Sequence, residues 1–274
     1  MTPLSIHISR QYGIIDEPGG RKTHLKATPR GAGVVLWLGY MIYSLILPES
    51  ATGLRIISTA ATAVFIFGYM DDMVSLPASW KLGIHSIAAL TVVLFIPVSL
   101  PVKLVLFLWI TGSTSAYNLI DGINGLSISI FLLTACAGLY LSGEVCWVAL
   151  LGLAGGVLLW NFPLARTFLG DGGSTLLGFI CMSQFSFELP AILGEASLFR
   201  WVLIATLLGG IPVLDTIYSF IRRVAVGNSP FLPDRGHFHH ILCDSGMPVF
   251  LALLTLVSFH GGILLLAVAV IGST

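Results

Sequence analysis

The run LPVKLVLFLWITGSTSAYNLIDGINGLSISIFLLTACAGLYL, residues 100–141, decides the fold. Two apolar stretches, 100–118 and 123–142, flank a polar turn holding Asn118, Asp121 and Asn124. A helix needs about 20 mostly apolar residues to cross a bilayer. The run therefore reads as two membrane spans joined by a turn that carries chemistry.

Outward from this run the pattern repeats. Further spans are predicted over 32–48, 51–69, 82–98, 145–162, 173–190, 200–221 and 247–271, which makes about nine in all. No alternating short-strand pattern of a β-barrel is present. The expected fold is an all-α, polytopic integral membrane helix bundle. It forms a single domain, 1–274, with an N-terminal loop over 1–31 and a histidine-rich loop over 222–246.

Composition agrees. The 274 residues are 56% hydrophobic and only 9% charged, with a mean hydropathy of +0.95. A soluble domain carries about a quarter charged residues, so lipid is the expected solvent. Thirteen basic residues balance thirteen acidic ones, which argues against a nucleic-acid binder driven by bulk charge. Cys136, Cys146, Cys181 and Cys243 form no CxxC pair and read as small packing residues. The first thirty residues lack the apolar core of a secretory signal.

Basic residues orient the bundle. With the N-terminal segment in the cytoplasm, every lysine and arginine except Arg55, Lys103 and Arg200 falls on or beside the cytoplasmic face. Four polar segments then share that face, as parts of one site would.

The first segment holds the adjacent carboxylates Asp71 and Asp72, with Trp80 and Lys81 following. Acids at a membrane edge are costly and seldom idle, although a solvated helix end is the plainer reading. The second is NLIDGINGL, residues 118–126, in which Asn118, Asp121 and Asn124 would share one face if helical. The third surrounds Asp171 with Gly170, Gly172 and Gly173 at the start of a span. Free backbone N–H groups there suit phosphate oxygens, a carboxylate suits Mg²⁺, and a simple N-cap remains compatible with both. The fourth is PDRGHFHH, residues 233–240. It lacks the thiolates and HxxxH spacing common at zinc sites, so Arg235 and the histidines read better as a phosphate or sugar clamp. His85 reads as hydrogen-bonded packing, Gly152 and Gly156 as a close helix contact, and Asp215 as equally structural or functional.

Together these segments resemble the polyprenyl-phosphate N-acetylhexosamine-1-phosphate transferase family, known also as glycosyltransferase family 4. The resemblance runs from Asp16-Glu17-Pro18, Arg21-Lys22-Thr23-His24 and Pro29-Arg30 to about Gly246. PDRGHFHH is closer to the initiating N-acetylhexosamine-1-phosphate branch of O-antigen, common antigen and teichoic acid assembly than to the lipid I branch. The resemblance implies Mg²⁺ as cofactor, with Mn²⁺ as its substitute, held by Asn118 and Asp171. It implies Asp71 and Asp72 as the essential acidic pair, Lys81 near the diphosphate and Asp121 as a catalytically important acidic residue. It further implies Asn124 and Phe168 at uracil, and Arg235, His237, His239 and His240 at the sugar and its phosphates. Many bacterial relatives have Asp where this chain has Asn124. Relatives also carry a transmembrane helix before the RKTH segment, whereas this sequence begins just after that point.

The implied partners are a UDP-sugar, a polyprenyl phosphate lipid and the bacterial inner membrane, with a homodimer compatible with the pattern. The implied reaction gives polyprenyl-diphospho-N-acetylhexosamine and UMP; direct in-line attack is the preferred route, and a covalent enzyme intermediate is the open alternative. A transporter would place its polar groups near the bilayer midplane, and a membrane phosphatase would release free phosphate.

Overall fold

The computed structural model describes residues 1–17, 27–46, 52–229 and 234–273. The RKTH segment and residues 230–233 of the histidine segment lie outside these.

The described chain is all-α apart from one small ribbon. Helix α1 (Thr2–Gln11) leads into β1 (Ile15–Asp16), which pairs antiparallel with β2 (Thr28–Pro29). Then come α2 (Ala32–Ile46), α3 (Thr52–Met73), α4 (Ala78–Leu94) and α5 (Leu100–Ile120). They are followed by α6 (Leu126–Ser142), α7 (Val145–Asn161), α8 (Gly170–Leu193), α9 (Leu198–Ala225), α10 (Phe238–Asp244) and α11 (Val249–Gly272). Each of the nine predicted spans overlaps one helix. Five of these, α3, α5, α8, α9 and α11, are long and apolar enough to cross a membrane, while α2, α4, α6 and α7 are shorter apolar helices. The protein is a polytopic all-α membrane protein.

Two segments expected as loops carry structure. The N-terminal segment 1–31 contains α1 and the ribbon, fastened to the bundle by Ser5 Oγ donating to the Gly31 carbonyl. The segment 222–246 loses its beginning to α9 and contains α10. In both, the helix is too short and too polar to show the apolar periodicity of a span.

Helix α8 is the axis of the bundle and its most buried span. Glycines allow its close neighbours. A Cβ on Gly68 of α3 would collide with the backbone at Gly172, and one on Gly33 of α2 with the backbone at Gly173. Among the described residues of this chain nothing makes the expected contact at Gly152 and Gly156, where an added Cβ would meet nothing within 4 Å. Those glycines lie on the outer side of α7, where spacing alone cannot distinguish lipid from a neighbour.

Helix α9 is broken at Gly210 (φ 54°, ψ −141°), two residues before Pro212. Such a break frees backbone groups that must find partners in lipid. Fully buried His260 of α11 supplies one, its Nδ1 accepting from the Ile211 N–H at 3.2 Å while Nε2 lies 2.8 Å from Thr134 Oγ1.

Candidate active site

The acidic pair ends α3, and its two members do different work. Asp71 Oδ1 accepts from the Leu76 N–H at 2.6 Å, and its Oδ2 forms an ion pair with Lys81. Lys81 stands in the first turn of α4 because Pro77 and Ala78 start that helix just beyond the acids. Asp72 turns the other way. Its Oδ1 accepts from the Asp171 N–H at 3.0 Å, and its Oδ2 from the Gly172 N–H at 3.2 Å. The Arg30 guanidinium holds the same carboxylate at 3.0 Å and also pairs with Asp16. The backbone N–H groups expected to be free for phosphate are thus taken by Asp72. A carboxylate at the first turn of α8 satisfies orphan donors and favours the helix dipole.

Asp171 projects from that turn into the cluster. Lys81 Nζ lies 3.4 Å and Asn118 Nδ2 3.1 Å from its Oδ2. Asn118 Oδ1 in turn accepts from Ser174 Oγ at 3.0 Å. A small cavity is lined by Asp71, Lys81, His85, Asn118, Asp171 and Thr175, together with apolar neighbours. His85 makes the hydrogen-bonded packing expected of it, 3.0 Å from Ser115 Oγ, and also belongs to this cavity wall, one turn below Lys81. Its spacing from Lys81, i and i+4, was the available signal.

Asn118, Asp121 and Asn124 do not share a helix face. Helix α5 ends at Ile120, Asp121 is its C-cap, and Gly125 (φ 83°) precedes α6. The two glycines that let the turn form also end the helical register. Burial, reinforced by the Asp171 and Asp72 charges, pushes the Asp121 carboxyl up to about 8 against the pull of Arg30. Asn124 makes no side-chain hydrogen bond among the described residues and lies in the open turn. Asn161, whose role the sequence left unread, braces that turn: its Oδ1 accepts from the Gly125 N–H at 2.7 Å and its Nδ2 donates to the Thr167 carbonyl at 3.0 Å. Phe168 follows, its N–H donating to the Pro29 carbonyl at 2.8 Å and its carbonyl accepting from the Ala32 N–H at 3.2 Å.

The histidine segment docks on the same turn. A Cβ on Gly122 would collide with the His239 ring. His239 is buried, and its Nε2 has no hydrogen-bond partner among the described residues. Burial and the neighbouring His240, His237 and Arg235 push it down to about 3. The His240 ring is tilted against it at 4.1 Å. His237 faces inward instead, with its ring nitrogens against Asp215 and Arg223. Arg235 is exposed and forked to Asp244, with contacts of 2.6 and 3.1 Å. Among the described residues no three His, Cys, Asp or Glu side chains form a metal cage. Asp171 offers one of the hard oxygens that Mg²⁺ usually takes from a protein beside substrate phosphates, and the Asn118 amide, whose nitrogen faces Asp171 while its oxygen faces Ser174, would offer a second on turning over.

Residues 54–186, which contain Asp71 through Asp171, match the model of glycosyl transferase family 4. A "Probable undecaprenyl-phosphate N-acetylglucosaminyl 1-phosphate transferase" of Bacillus subtilis is 30% identical over 90% of this chain and 74% of its own length. An undecaprenyl-phosphate alpha-N-acetylglucosaminyl 1-phosphate transferase of Thermotoga maritima is 30% identical over 94% of this chain and 82% of its own. The Escherichia coli enzyme of the same name is 25% identical over 87% and 71%. Similarity of that extent, with the acidic cluster inside the matched segment, places this chain in glycosyl transferase family 4, among the polyprenyl-phosphate N-acetylhexosamine-1-phosphate transferases.

Proposed function

We propose that this protein transfers an N-acetylhexosamine 1-phosphate from a UDP-sugar to polyprenyl phosphate, releasing UMP. The observation that carries the reading is the convergence of Asp71, Lys81, Asn118 and Asp171, from four different helices, on one cavity. An oxygen of the lipid phosphate attacks the phosphorus bonded to the sugar. The anhydride bond to the uridine-bearing phosphate breaks, and UMP leaves with the bridging oxygen.

The obstacle is an anion attacking an anion. Two unit like charges at 4 Å cost about 4 kcal/mol at an effective dielectric of 20. Mg²⁺ held by Asp171 and Asn118 would supply charge neutralisation. Lys81, oriented by Asp71, offers a second positive charge beside it. A phosphate monoester is mostly dianionic at pH 7, since its second pKa is near 6, so the attack needs no strong base. Asp121, whose carboxyl burial pushes up to about 8, can in its protonated form donate a hydrogen bond to a phosphate oxygen. Asn124 and Phe168 are assigned to the uracil, and His239, His240 and Arg235 to the sugar and its phosphates.

The acceptor's chain needs an apolar path. We assign that role to an apolar cavity of about 290 Å³ between α5 and α9, lined by Leu108, Trp109, Val202, Ala205, Val213 and Ile217 among others. If all nine apolar helices cross, the excess of basic residues on the side of the site supports a cytoplasmic orientation in a bacterial inner membrane.

The test is incubation of the purified protein with undecaprenyl phosphate and a panel of UDP-N-acetylhexosamines. UMP should appear in equal amount with a lipid diphosphosugar. Release of inorganic phosphate without UMP would instead identify a phosphatase.

A further inference from the structure

Asp215 has no part in the reaction described above, yet it is a fully buried acid five residues beyond the break in α9. Burying a carboxylate without partners is expensive, and both of its oxygens are used. Oδ2 lies 2.7 Å from His237 Nδ1, and Oδ1 accepts from the Phe238 N–H at 2.7 Å. Phe238 is the first residue of α10, so this N–H has no partner within that helix.

The carboxylate can only accept, so the His237 proton toward it sits on Nδ1. Nε2 is then an acceptor, and it faces Arg223 Nη2, a donor, at 3.3 Å. The opposite tautomer would set N–H against N–H there. Arg223 is buried and also forked to Asp234, with Nε at 2.8 Å and Nη2 at 3.2 Å from its carboxylate oxygens. Ser219 Oγ closes the group, 3.3 Å from His237 Nδ1 and 3.4 Å from the Gly236 carbonyl it donates to.

We infer that Asp215 is a positioning residue for the transfer reaction: it fixes the His237 tautomer and anchors the start of α10, and so sets Arg223 and His239 relative to the Asp121–Gly125 turn. The carboxylate and imidazole work as one unit. The residues it holds in place are Arg223, which His237 steadies, and His239, which sits one residue beyond Phe238 and packs on Gly122. The unit belongs to α9 beyond Gly210, so the placement of the histidine segment follows that half of the helix.

The inference rests on the proposed transfer for its activity readout alone. The first measurement is ¹⁵N NMR of histidine-labelled full-length protein in lipid nanodiscs, with His237 assigned by its loss in His237→Gln. The expected signature is a protonated Nδ1 and a bare Nε2, and a proton on Nε2 with a bare Nδ1 would overturn the inference. The second is a mutant cycle. Asp215→Asn should lower turnover at least about tenfold, the scale of losing an orienting partner of a working imidazole. In the His237→Gln background the same change should cost less than about twofold. Equal losses in both backgrounds would overturn the inference. If Asp215→Asn does not fold, the tautomer in the unaltered protein decides. If no UDP-sugar supports turnover, the proposed function fails while the tautomer remains measurable.

Discussion

The ring of His239 occupies the space that a side chain at Gly122 would need. The two residues are far apart in sequence, one in the turn after α5 and one in α10. Their contact is where the histidine segment joins the acidic site. Gly122→Ala should push the ring out of place and lower turnover at least about tenfold, through misplacement of groups around the reacting phosphates. The variant should remain monodisperse with a melting temperature close to the parent's, measured by thermal shift in detergent. Unchanged turnover would mean that His239 does not act at this turn.

Asp72 is expected to matter through α8 and Arg30. Asp72→Ala leaves the Asp171 and Gly172 N–H groups and the Arg30 guanidinium without their carboxylate. A loss of about 2–4 kcal/mol is expected, with reduced turnover because Asp171 shifts. Arg30→Met should cost less. The double variant should lose less than the sum, with a coupling of about 0.5–3 kcal/mol. Additive losses in thermal or urea denaturation would contradict the shared network.

Asp121 and His239 give stability opposite slopes with pH. The Asp121 carboxyl titrates at about 8 in the fold against 3.8 ordinarily, so between these values the folded state holds the extra proton. Stability falls there as pH rises. His239 titrates at about 3 against 6.5, so the unfolded state holds the extra proton between those values and stability falls as pH drops. Metal-free Asp121→Asn protein should therefore gain melting temperature over the parent at pH 8 and show little difference at pH 4. A gain that is constant with pH would show that the Asp121 carboxyl is not raised.

His260 completes the broken helix. His260→Leu leaves the Ile211 N–H without its acceptor and removes the bond to Thr134, at a cost of about 1–3 kcal/mol. His260→Gln, which can reach as acceptor and donor, should recover part of this. Equal melting temperatures for the parent and the Leu variant would show that water or another group serves Ile211.

Much of the architecture is written locally in the sequence. The apolar runs mark the helices, and the glycine-flanked acids and amides at their ends mark the site. What could not be read locally lies in pairs distant along the chain. Asp72 meets the backbone at Asp171, His237 meets Asp215, and His260 meets Ile211. No spacing rule spans such separations. The spacing of Asn118, Asp121 and Asn124 suggested a shared face, but Gly122 and Gly125 ended the helix first. Helix α1 and the ribbon were hidden because a short polar segment can be ordered by docking against α2 and Arg30.

The most direct measurement is turnover against Mg²⁺ concentration for the parent, Asp171→Asn, Asn118→Ala and the double variant. Asp171 supplies the carboxylate of this cluster that Asp72 and Asn118 both orient. Asp171→Asn is expected to lower kcat by on the order of 10³-fold or more, if the ion stabilises the transition state by several kcal/mol, and to weaken the Mg²⁺ dependence. Because Asn118 acts through the same ion, the double variant should lose far less than the product of the single losses. Near-parental turnover of Asp171→Asn at low Mg²⁺ would contradict the assignment and leave Asp171 as a helix-terminal residue only.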